Sequence, residues 1–124
     1  MREYKFRGIS INGKWYHGLL SIMKKETKTA LAGCYISNSA GVPLAYLVLE
    51  KTVGQYTGMK DMSGTEIYEG DKVYWPHLEQ PEDFRVVCFD CEECVFVADT
   101  KSGEPDSWLD NKCCVVGNIY EAYK

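Results

Sequence analysis

Six cysteines stand at positions 34, 88, 91, 94, 113 and 114, and three of them, Cys88, Cys91 and Cys94, form a double C-x-x-C. That spacing can gather thiolates around one tetrahedral ion when the residues between them make a tight knuckle. A ribbon-type zinc site needs a second C-x-x-C. The chain offers only the adjacent pair Cys113 and Cys114, whose side chains point to opposite faces of a strand, so at most one of them would join. A hairpin turn at Asp90 to Cys94 accounts for the same residues without an ion. The expectation is no bound metal and no cofactor, with a zinc knuckle as the competing reading, and Cys34 is read as core.

Other reactive groups are sparse. The two histidines are His17, after Trp15-Tyr16 on an expected strand, and His77 in a proline-bearing loop. The chain has no phosphate-loop, dinucleotide, zincin or nucleophile-elbow motif. Glu69 and Asp71 flank Gly70 closely enough to imitate a carboxylate pair, but Glu-Gly-Asp ahead of an apolar strand is explained more simply by turn chemistry. The reading is that the protein is not an enzyme.

The elements that position these groups belong to a chain of 124 residues, 45% hydrophobic and 13% aromatic, with a net charge of −4. That is the size of one domain with a core of its own, and any subdivision is expected near residues 50–70. The charge is unevenly spread: residues 1–28 carry +5 and residues 29–124 carry −9. A basic first segment with Tyr4, Phe6, Trp15 and Tyr16 suits nucleic acid if its cations converge. A solvated strand face on an acidic body is the favoured alternative. The charged start, Met1 to Lys5, and the short apolar run Leu44 to Leu49 predict a cytoplasmic protein without a membrane span.

Nearly every segment reads as strand and turn. Residues 4–23 are expected to form a hairpin around Asn12-Gly13, and Leu31 to Ile36 and Leu44 to Leu49 form a second β region with Pro43 at an edge. Thr52 to Gly70, punctuated by glycines, reads as an ordered connector with a turn at Asp61 to Gly64. Strands follow at Lys72 to Trp75, Phe84 to Asp90, Val95 to Ala98 and Cys113 to Val116, with a helical turn expected at Pro105 to Leu109. The predicted fold is mainly β, a small barrel-like or two half-barrel arrangement with at most one or two short helices.

The blocks Thr52 to Asp61 and Gly64 to Val73 resemble the YopX family of phage and prophage proteins. So do Lys5-Phe6-Arg7, Trp15 to Gly18, and Val115 to Glu121, and all occur in the family's order. The resemblance implies a predominantly β protein of a phage, prophage or mobile element, acting in a bacterial host and without an assigned activity. Its glycines 54, 58, 64, 70 and 117 are read as turn positions. A binding surface is sought first at Gln55, Tyr56, Asp61, Glu69 and Asp71, where polar groups gather on loops beside aromatic area. The expected role is a non-enzymatic interaction module for a phage or host protein. Nucleic-acid binding by the basic segment is the alternative, and self-association is left open by exposed strand edges.

Overall fold

The structure is a computed structural model that describes residues 4–28, 31–38, 45–76, 84–92, 94–99, 105–108 and 112–120. The expectations for Pro43, His77 and the 77–83 loop fall outside these residues. Among the described residues there are eleven strands and a single 3-10 turn at Glu50–Thr52. The chain divides into two compact units, and the division falls between Gln55 and Tyr56.

In the first unit the strands are β1 (Phe6–Ile9), β2 (Trp15–Met23), β3 (Gly33–Asn38) and β4 (Ala45–Val48), antiparallel in the order β4-β3-β2-β1. The first residues of β5 (Gly54–Lys60) join beside β1, with Gln55 opposite Phe6 and Gly54 opposite Arg7. The hairpin expected at 4–23 forms, its turn closed by the Gly13 amide on the Ser10 carbonyl at 3.0 Å. One sheet face makes the core: Cys34, Ile36 and Val48 are buried, with Phe6, Tyr16, Leu20 and Val53 against them. Burial of each such aliphatic side chain is worth about 1.5–3 kcal/mol. Gly8 lies under Val48, and a Cβ there would come within 2.8 Å of the valine methyl, so only glycine allows this approach of β4 side chains to β1.

Thr52 secures the edge of this unit. Its fully buried hydroxyl donates to the Leu49 carbonyl at 2.7 Å and accepts from the Ile9 amide at 2.9 Å. The Leu49 amide in turn reaches the Ile9 carbonyl at 2.7 Å. The 3-10 turn is thereby tied to β1 through groups that burial would otherwise leave at a cost of about 1–3 kcal/mol each.

In the second unit, β5 continues and pairs with β6 (Glu66–Tyr68). A second sheet contains β7 (Asp71–Tyr74), β8 (Arg85–Asp90), β9 (Val95–Asp99), β10 (Pro105–Trp108) and β11 (Cys114–Asn118) in the order β10-β9-β8-β7-β11. Its core is Ile67, Val73, Trp75, Val87, Ala98 and Cys113, with Met59, Phe96 and Val115 half-buried against it.

Two expectations differ from the structure. The 52–70 connector is a β5–β6 hairpin in which Tyr56 and Tyr68 pair across the strands; Gly64 and Gly70 lie in turns as expected, but Gly54 and Gly58 are within β5, and Gly117 is within β11 rather than in a turn. The helical turn at Pro105 is instead β10, an edge strand in which the missing proline N–H takes no bond from the ladder. The mainly β architecture forms as expected, in two antiparallel sheets not closed into a barrel; in the first, a bridge between Ser10 and Val48 brings the end of β4 to the end of β1, and in the second β10 and β11 stand at opposite edges.

Candidate functional site

Two of the blocks that carry the resemblance, Gly64 to Val73 and the segment from Val115 to Tyr120, meet in the second unit. Asp71 opens β7 and lies opposite Asn118 of β11, with Val73 opposite Val115, so the Gly-Asp-x-Val segment and the Val-x-Gly-Asn-Ile-Tyr segment are neighbouring strands of one ladder. A register shift between Val115 and Gly117 adjusts the pairing. Gly70, just before β7, has φ of +89° and donates to the Val87 carbonyl at 2.8 Å, while its own carbonyl accepts from the Ile119 amide at 3.0 Å. The Tyr120 ring covers it so closely that a Cβ on residue 70 would lie 2.7 Å from the ring edge.

Asp61 and Asp71 serve the backbone around them. Asp61 is 7% exposed; its Oδ1 accepts from the amides of Ser63 at 2.8 Å and Thr65 at 2.9 Å, and its Oδ2 from the amide of Val115 at 2.9 Å. Burial alone pushes this carboxyl up, but the amides of Val115, Thr65, Ser63 and Gly64 together outweigh burial and hold it below the ordinary aspartate range. The Met62 amide adds a bond to the Cys113 carbonyl at 3.0 Å. Asp71 is 1% exposed, and its Oδ2 accepts from the Tyr68 amide at 2.8 Å.

The other candidates are placed differently. Tyr56 is buried, its ring 5.4 Å from that of Tyr68, whose hydroxyl donates to Glu66 at 3.0 Å. Glu69 is half-buried between β6 and Gly70. Gln55 is half-buried and belongs to the first unit, so the five candidates are divided between the units.

The thiols follow the strands. Cys88 lies on β8 opposite Val97, and Cys91 and Cys94 are in the exposed turn after it. Cys113 is buried beside half-buried Cys114. Among the described residues no three His, Cys, Asp or Glu side chains are grouped to hold a metal ion. Cys34 is buried, and that burial, with the nearby Glu50 charge, pushes its thiol up.

A grouping that sequence reasoning did not make lies in the first unit. Direct cross-strand partners share a face, which places Trp15, His17, Leu19, Ser21, Tyr35, Ser37, Ala45 and Leu47 together, opposite the core face. Of these, His17, Leu19, Ser21 and Ala45 are exposed and the rest half-buried. At the β1 end Arg7 is buried with its guanidinium 4.7 Å from the Trp15 ring centre, and the Trp15 and His17 rings are 6.5 Å apart. Tyr16 is on the other face, stacked on Tyr46 at 4.0 Å with Lys14 5.5 Å from its centre. Both residue parities of β2 are apolar, so the alternation carries no signal for which face is covered.

No curated protein gives a significant match to the sequence. The sequence pattern described for the YopX protein matches residues 5–123. With nearly the whole chain covered, the protein belongs to the YopX family.

Proposed function

We propose that this YopX-family protein is a non-enzymatic interaction module of a phage or prophage, acting in the bacterial cytoplasm, and that it binds another protein through the open face of β2, β3 and β4. The phage origin is what the family resemblance implies. The observation that carries the binding role is the apolar surface exposed on this face among the described residues. A solvated face of an antiparallel sheet is ordinarily polar, yet this one presents Leu19 at 57% exposure beside Tyr35, Ala45 and Leu47.

The partner has an apolar contact ringed by acidic groups. Lys24, Lys25 and Lys28 are exposed just beyond the end of β2, within a segment of +5 charge. Protein is favoured over nucleic acid because two of the four rings named for base stacking are engaged internally, Trp15 by Arg7 and Tyr16 by Tyr46.

The test is quantitative affinity capture from bacterial cells with the wild-type chain and with Leu19→Asp. The side chain is exposed, so the fold tolerates the change. A specific protein retained by the wild type and lost at least tenfold with Leu19→Asp supports the proposal. Equal retention by both chains, or salt-sensitive binding to nucleic-acid probes in its place, overturns it.

A further inference from the structure

The β8–β9 hairpin ends on the pair Asp90 and Val95, so Cys91 and Cys94 are the first and last residues of the turn that joins the strands. Both thiols are free and exposed. Sγ of Cys94 lies 3.5 Å from the Cys91 carbonyl oxygen, which folds this thiol back toward the other end of the turn. Oδ1 of Asp90 accepts from the Glu92 amide at 3.0 Å and fixes the entry to the turn. Cys94 has φ of +57°, a conformation that no other non-glycine residue adopts among the described residues. Glycine or asparagine holds that angle at lower cost, so backbone preference does not explain a cysteine there.

The first and fourth residues of a turn have Cα atoms within about 7 Å, and a disulfide spans about 4.4–6.8 Å between Cα atoms. The other four thiols are less accessible: Cys88 on β8 and Cys114 on β11 are half-buried, and Cys34 and Cys113 are buried in their cores.

We propose that Cys91 and Cys94 form a reversible dithiol–disulfide site whose reaction partner is a low-molecular-weight disulfide. One cysteine thiolate attacks a sulfur of the external disulfide, forming a mixed disulfide and releasing one external thiolate. The second cysteine thiolate attacks the protein sulfur of that mixed disulfide, closing the Cys91–Cys94 bond and releasing the second external thiolate. The two thiol protons end on the two released thiolates. Two electrons pass from the cysteine pair to the external disulfide, so the exchange balances with no further reactant.

The experiment equilibrates the full reduced chain, without oxygen, in reduced and oxidised glutathione at a series of ratios. Free thiols are then trapped by alkylation and assigned by fragmentation mass spectrometry. The expected result is a chain lighter by two hydrogens, with Cys91 and Cys94 protected together and no glutathione retained. Cys91→Ser and Cys94→Ser each lose that change and retain one glutathionyl group on the remaining thiol, while Cys88→Ser behaves as the wild type. The proposal is overturned by a wild-type chain that keeps both thiols alkylatable at every ratio, by one that stops at stable glutathionylation, or by a bond that persists in either serine variant.

Discussion

Oδ2 of Asp61 accepts the main-chain amide of Val115 at 2.9 Å, joining a turn and a strand 54 residues apart in the chain. Oδ1 of the same carboxylate closes the turn on Ser63 and Thr65. One side chain thus shapes the β5–β6 bend and anchors β11 to it. The motif residues of the family are accounted for, at this point, by the fold they maintain.

Asp61→Asn keeps the shape and one acceptor oxygen but puts an NH₂ group where a second acceptor is needed. The expected loss is about 1.5–3 kcal/mol near neutral pH, measured by urea unfolding. Its pH dependence has a defined sign. The carboxyl is held below its ordinary value in the folded chain, so the stability it contributes is complete above the ordinary aspartate range of about 4 and is lost as pH falls through the depressed value. The gap between wild type and Asp61→Asn is therefore the same at pH 7 and pH 5, and narrows below about 4.

Gly70→Ala meets two separate obstacles, the φ of +89° and the Tyr120 ring. A total loss of about 1–3 kcal/mol is expected in the same unfolding measurement. Adding Tyr120→Ala relieves the steric part alone, so in the double-mutant cycle Gly70→Ala costs less on the Tyr120→Ala background yet remains destabilising.

Thr52→Val removes the hydroxyl that bridges the Leu49 carbonyl and the Ile9 amide while preserving volume. A loss of about 1–3 kcal/mol follows from leaving those buried groups without the bridge. Thr52→Ser restores the bridge and most of the stability. Equal losses from the two substitutions would assign the effect to packing.

The strands of this chain were legible because their signals are local: Asn12-Gly13 marks the first turn, and Arg85 to Phe89 and Val95 to Val97 flank the second. The 52–70 hairpin was hidden by its glycines, which read as a connector until Tyr56 is placed opposite Tyr68. Pro105 resembled a helix start because the same fixed φ that suits a first helical turn also suits an edge strand. Asp61 and Asp71 were recognisable as turn residues, but the bond from Asp61 to Val115 depends on a long-range pairing that no local pattern carries. The open face of β2 was illegible for a related reason, since Trp15, Leu19 and Met23 alternate with Tyr16, Leu20 and Ile22 and either set reads as core.

Leu19 and Ile22 offer the most direct test of the proposed docking face. They are 57% and 61% exposed on the same strand and point to opposite faces of the sheet. A photo-crosslinking amino acid placed at each position in turn, in full-length protein within bacterial cells, compares the two faces at matched exposure. A discrete crosslink to another protein is expected from position 19 and none to that protein from position 22. A crosslinked dimer of this chain, equal crosslinking from both positions, or no protein adduct from position 19 would contradict it.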